Sequence, residues 1–141
     1  MAEGTFIGFV DGASRHTQNL TSATWVIYSP NGQLVVSGGA CLGPATNNVL
    51  EYNAMIEILC DAILNGILCL EVCLDSQLVV IQLNGEYRVC NLIILRYFLC
   101  VGLLGRQLVY INYEHILRNQ NTTTDAFVNY VLDWHLSHSI T

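Results

Sequence analysis

The apolar pattern changes period once along this chain, and that change limits the folds open to it. Up to Cys41 the apolar residues come in short runs, Thr5–Val10, Ala23–Tyr28 and Gln33–Cys41. Asp11-Gly12 follows the first run and Ser29-Pro30-Asn31-Gly32 the second. Runs of this length, bounded by Gly, Pro, Asn and Asp, predict strands, and spacings this short predict antiparallel neighbours. After Thr46-Asn47-Asn48, whose side chains suit a helix cap, Tyr52, Ile56, Leu59 and Ile63 recur at helical spacing until Asn65-Gly66. Beyond them the pattern predicts a strand over Leu68–Leu74, helices over Ser76–Leu83 and Leu92–Leu104, and a strand over Leu108–Tyr113. A polar loop over Asn119–Thr124 and a helix over Asp125–His135 complete it. The expected architecture is one α/β domain over residues 1–141. It has a five-stranded mixed sheet, an antiparallel meander of three strands followed by alternating helices and strands, with helices on its faces.

A chain of 141 residues is long enough for one core. Its 52% apolar and 11% charged residues exclude disorder; charged residues make up about 25% of an ordinary soluble domain. A spanning helix needs about 20 apolar residues in a row. The greasiest stretch, Asn91–Gly105, is interrupted by Arg96 and closed by Arg106, so no membrane partner is expected. Asp11, which breaks the first apolar segment after Val10, argues against a signal peptide. The six cysteines form no C-x-x-C pair and have no paired histidines, so they read as structural thiols in a reducing, intracellular compartment.

Four acids stand at the edges of apolar elements rather than on charged faces. Asp11 follows the first strand, Glu51 lies in the first turn of the long helix, Asp75 follows LEVCL, and Asp125 opens the last helix. On the helix, Glu51 heads a strip that continues through Met55, Ile58 and Ala62. Carboxylates placed so are costly unless paired or metal-bound. No lysine occurs in the chain, and no arginine is near them in sequence. Hard oxygen donors favour Mg²⁺, or Mn²⁺ as a substitute. Taken singly, each acid could equally cap an element or sit in solvent.

The strings FVDGAS, TNNVLEYNAM, LDSQLVV and HILRNQNTTTD, in this order, resemble the four motif regions of type 1 ribonuclease H. The likeness is strongest to the ribonuclease H domains of plant gypsy-type retrotransposons and to related bacterial and archaeal enzymes. It runs from about Thr5 to His135. It implies an endonuclease that hydrolyses the RNA strand of RNA–DNA hybrids with two metal ions. Asp11 would bridge both ions, Glu51 and Asp75 would complete the ion on the leaving side, and Asp125 would hold the ion that activates water. Gly12, Asn47, Asn48 and Gln77 would touch the hybrid's minor groove, where only RNA offers a 2′-OH. Thr46 would help hold a DNA phosphate, although Thr46-Asn47-Asn48 is also plain helix capping. His115 stands where the family often has a histidine that assists product release. It could equally be a polar residue ending a strand, and Arg118 in the same loop could serve instead.

The chain departs from the family in three respects: the first long helix reads Ile58, Cys60 and Leu64 at positions that are usually polar, the loop where relatives often carry Pro reads Ile116-Leu117-Arg118, and the third concerns charge. The net charge is −6 with five arginines and no lysine, and Leu92–Leu104 is apolar where many relatives carry a lysine-rich helix. Hybrid binding draws on neutralised phosphates, so the isolated chain should bind weakly. Three expectations follow: help from a neighbouring domain such as a reverse transcriptase, self-association through the apolar 92–104 segment, or an altered copy. The alternative function is a catalytically weak or inactive module of the same fold that binds a protein. A resolvase or exonuclease of this fold is a third reading, disfavoured by the Thr-Asn-Asn and Asp-Ser-Gln strings.

Overall fold

A computed structural model describes residues 4–15 and 20–121. The elements in chain order are β1 (Phe6–Arg15), β2 (Leu20–Tyr28), β3 (Leu34–Leu42), α1 (Asn47–Leu64), β4 (Cys69–Leu74), α2 (Gln77–Leu83), α3 (Leu92–Gly105) and β5 (Tyr110–His115). A 3₁₀ turn, Arg118–Gln120, follows. The expected helix Asp125–His135 lies outside the described residues. The strands form one five-stranded sheet in the order β3-β2-β1-β4-β5. β1 is antiparallel to β2 and β2 to β3, while β1–β4 and β4–β5 are parallel. The mixed sheet with its antiparallel meander is the architecture expected from the period change.

Several boundaries differ from expectation, three of them by the pairing of strands or the length of a helix. β1 does not stop at a turn at Asp11-Gly12: it runs on to Arg15, because β2 begins at Leu20 and pairs it along its length. An antiparallel partner supplies the ladder hydrogen bonds that a Gly-containing segment lacks on its own. β5 begins at Tyr110 rather than Leu108 and continues to His115, because β4 pairs it from Cys69↔Tyr110 to Leu74↔His115. The helix over 92–104 extends one residue further, to Gly105.

Helix ends follow local chemistry. Thr46 caps α1 by accepting from Val49 N–H, Ser76 caps α2 through Val79 N–H, and Asn91 caps α3 through Ile93 and Ile94 N–H. Gly66 and Gly85 follow α1 and α2 with positive φ, the conformation that releases a helix from its axis. The strip Met55, Ile58 and Ala62 is buried as its spacing requires and packs on the sheet with Leu50, Tyr52 and Leu59. In the same core, Trp25 Nε1 donates to Asp61 Oδ2 at 2.5 Å, linking β2 to the far end of α1. α3 buries Ile94 and Val101 while Leu92, Ile93, Leu99 and Leu103 stay exposed. Among the described residues no helix is long and apolar enough to cross a membrane. None of the six cysteines is joined in a disulfide. Cys73 is buried, but Cys90 and Cys100 are exposed and so do not act as core residues.

Candidate active site

The cleft forms where β1 and β4 part. Their parallel register ends at Phe9↔Cys73, after which β1 continues against β2 alone. Two residues further along each strand stand Asp11 and Asp75, so the register itself sets these carboxylates side by side. Open sheets bind ligands at the carboxyl ends of parallel strands, at the point where the connections diverge, and this cleft lies at such a point.

Glu51 arrives from above. α1 settles closely on β1 because two residues there have no side chain. A Cβ on Gly8 would meet Ile58 Cδ1 at 2.5 Å, and one on Gly12 would meet Leu50 Cβ at 2.7 Å. Gly12 therefore lets the first turn of α1 descend until Glu51 reaches the strand carboxylates. One oxygen from each of Asp11, Glu51 and Asp75 lies within 4.8 Å of the others. Asp11 is 3% and Glu51 5% exposed, and among the described residues Glu51 Oε2 has no hydrogen-bond partner. Burial, then the charges of Asp11 and Asp75, push the Glu51 carboxyl well above the usual carboxylate range; Arg118 opposes this only weakly. A site that holds three acids against their mutual repulsion, with an unpartnered buried oxygen among them, fits a divalent cation.

The cleft has a volume of about 270 Å³ and is lined by Asp11, Gly12, Asn47, Asn48, Glu51, Asp75, Ser76 and Arg118. Of the residues singled out by sequence, Thr46, Gln77 and His115 do not line it. Thr46 caps α1, Gln77 is exposed at the start of α2, and His115 is exposed at the end of β5. Asp125 lies outside the described residues. Arg118, distant from the acids in sequence, comes to the cleft through its 3₁₀ turn. Two nearby residues carry no signal in the linear pattern. Thr24, fully buried, pairs directly with Asp11 across β1–β2. Asn121, also buried, bonds to the carbonyl of Val10. Asn121 falls inside a polar loop, where its composition suggests only solvent; its place four residues before Asp125 is the one cue to it.

Residues 9–131 match the profile of a family described as reverse transcriptase-like. The bifunctional protein Rv2228c of Mycobacterium tuberculosis is 33% identical over 124 residues, which is 87% of this chain and 34% of that protein. The chain thus spans about a third of the length of the mycobacterial relatives it matches. The crystal structure of RNase H1 from the archaeon Halobacterium salinarum superposes with a TM-score of 0.85 at 34% identity. The match covers 92% of this chain and 98% of that one. LC11-RNase H1, isolated from compost by a metagenomic approach, has been solved in complex with an RNA/DNA hybrid. It superposes with a TM-score of 0.83 at 30% identity, covering 93% and 99% of the two chains. With the four motif regions in order, the shared sheet topology and the convergent acids, these likenesses establish that the chain belongs to the type 1 ribonuclease H family.

Proposed function

We propose that residues 1–141 form one nuclease domain that hydrolyses the RNA strand of RNA–DNA hybrids at this cleft. The observation that carries it is the meeting of Asp11, Glu51 and Asp75 at one point, with Glu51 buried and an oxygen left unpartnered. Asp125 is the fourth ligand in this assignment. Bound Mg²⁺, or Mn²⁺ in its place, would supply charge neutralisation at the scissile phosphate and a water acidic enough to attack it.

The remaining work falls to the chain's own groups. Asn47 and Asn48 stand at the N-terminus of α1, on the wall of the cleft, where side-chain amides and free backbone N–H groups meet a sugar-phosphate edge. With Gly12 and Gln77 they read the minor groove, and hydrogen bonds to the 2′-OH select the RNA strand. Thr46 takes a DNA phosphate. Arg118 lies over the carboxylates and steadies a phosphate oxygen; His115 or Arg118 assists departure of the product. That product has a 3′-hydroxyl and a 5′-phosphate. With no lysine to grip phosphates, a neighbouring domain such as a reverse transcriptase, or a second copy docked on α3, supplies affinity. Work on hybrids and six cysteines outside any disulfide both suit an intracellular location.

One observation favours a second reading: the exposed apolar face of α3 suits a protein partner, and an inactive module would need no metal. Labelled hybrid, duplex DNA and duplex RNA, each incubated with Mg²⁺ or Mn²⁺, separate the two. Cleavage confined to the RNA of the hybrid, and stopped by EDTA, is expected. Cutting that survives excess EDTA would overturn the metal assignment, and no cutting of any substrate would leave the interaction module.

A further inference from the structure

Residues 116–121, which follow β5, contain only the short 3₁₀ turn, yet they are tied down. Leu117 N–H donates to Gln120 Oε1 at 3.0 Å, Gln120 N–H to Leu117 O at 2.9 Å, and Asn121 N–H to Arg118 O at 3.1 Å. The turn closed in this way presents one side chain to the interior. Asn121 is 1% exposed, and its Nδ2 donates to the backbone carbonyl of Val10 at 3.1 Å. β4 has left β1 one residue earlier, at Phe9↔Cys73. The amide therefore fastens this turn to β1 just beyond the last rung that β4 provides, next to Asp11.

Two consequences converge on the cleft. Val10 is fully buried and precedes Asp11, so a bond to its carbonyl restrains the backbone that sets the Asp11 side chain. Arg118 belongs to the same closed turn and lines the cleft with the carboxylates, so its position there is fixed by the same anchor. The other end of the amide is informative too. Among the described residues, Asn121 Oδ1 is buried without a hydrogen-bond partner. A polar atom in that position is costly unless a donor such as an ordered water reaches it, and a side chain needed only for packing would be apolar.

Resting on the nuclease reading above, we propose that Asn121 is a positioning residue. Its amide clamps the 117–121 turn onto β1 so that Asp11 and Arg118 hold one geometry at the metal-binding cleft. It touches neither metal nor substrate. Groups that orient metal ligands from behind change metal affinity by about 10- to 100-fold when removed.

The test titrates Mg²⁺ alone into the full chain, read by thermal shift and by calorimetry. Wild type is compared with Asn121→Ala and with Trp25→Phe, which loosens the β2–α1 link far along α1 from Glu51. Asn121→Ala should raise the Mg²⁺ concentration at half-saturation about tenfold or more, and in cleavage assays lower kcat with little change in KM for hybrid. Trp25→Phe should lower the melting temperature without moving the Mg²⁺ midpoint. Should the alanine variant fail to fold, Asn121→Ser, too short to span to Val10, carries the same expectation. An Asn121 variant that melts lower yet binds Mg²⁺ as wild type does would show a merely structural residue and overturn the proposal. A wild-type chain that does not respond to Mg²⁺ at all would overturn the metal assignment itself, and this proposal with it.

Discussion

Gly12 on β1 and Leu50 on α1 stand so close that a methyl group on Gly12 would meet Leu50 Cβ at 2.7 Å. Neither residue is acidic, yet their approach decides whether Glu51, the next residue along α1, can reach Asp11. A second glycine, Gly38 on β3, is equally crowded, with Trp25 Cε2 at 2.3 Å from an added Cβ, but it lies under the indole rather than at the cleft.

This contrast gives a paired prediction. Overpacking costs about 1–3 kcal/mol, so Gly12→Ala and Gly38→Ala should both lower the melting temperature. Only Gly12→Ala should also weaken the Mg²⁺-induced rise in that temperature. Thermal melts of both variants with and without Mg²⁺ check this; equal Mg²⁺ responses in the two would count against Gly12 as the residue that admits Glu51.

Metal-free stability should fall with rising pH. Burial and the charges of Asp11 and Asp75 raise the Glu51 pKa in the folded state, so the folded chain holds a proton that the unfolded chain releases. The resulting stabilisation is complete below the ordinary carboxylate range and is lost as pH climbs through the raised value. Glu51→Gln should flatten this dependence and raise the melting temperature at neutral pH in EDTA. A variant less stable than wild type under those conditions would mean that Glu51 is paired rather than crowded.

Mg²⁺ should reverse the crowding. A ligand bound only by the folded state adds about 2.7 kcal/mol at a hundred times its Kd. Wild type should therefore melt higher in Mg²⁺, while Asp75→Asn should be more stable than wild type without metal, gain little from it, and lose hybrid cleavage. If Asp75 served only its local backbone, its removal would destabilise the chain and leave the Mg²⁺ response intact.

Binding to hybrid should depend weakly on salt. The slope of affinity against salt grows by roughly 0.9 for each neutralised phosphate of a duplex. With five arginines in the chain, and one of them, Arg118, at the cleft, the slope should correspond to only a few contacts. Fluorescence anisotropy across a salt series measures it; a slope equivalent to eight or more contacts would reveal a cationic surface that the arginines do not account for.

The chain should self-associate through α3. Leu92 is 74% and Leu103 60% exposed, and Ile93 and Leu99 are open beside them. Apolar faces of this kind mark interfaces. Light scattering should show dimers or larger species, and Leu103→Glu should shift them toward monomer. A wild-type chain that stays monomeric at high concentration would remove this expectation.

The sequence alone determined the elements and their order. Runs with turn residues between them marked β1 to β3, and the helical recurrence of Tyr52, Ile56, Leu59 and Ile63 marked α1. The cap at Thr46 and the stop at Gly66 fixed the ends of α1, because these signals are local and need only neighbouring residues. The motif strings added which acids matter. What they could not supply was any relation between distant segments. That β1 runs past Asp11 to Arg15 was decided by β2, which provides hydrogen bonds that no stretch of β1 can make by itself. That Glu51 meets Asp11 and Asp75 was decided by the parallel register of β1 with β4 and by the closeness of α1 over Gly12, a residue whose linear context reads as a turn. Arg118 and Asn121 came to the site through one amide bonded to Val10, from a loop whose composition is that of solvent-facing chain. Periodicity records which face of an element is apolar; which element covers that face, and which polar atoms are buried beside it, is settled only when the chain packs.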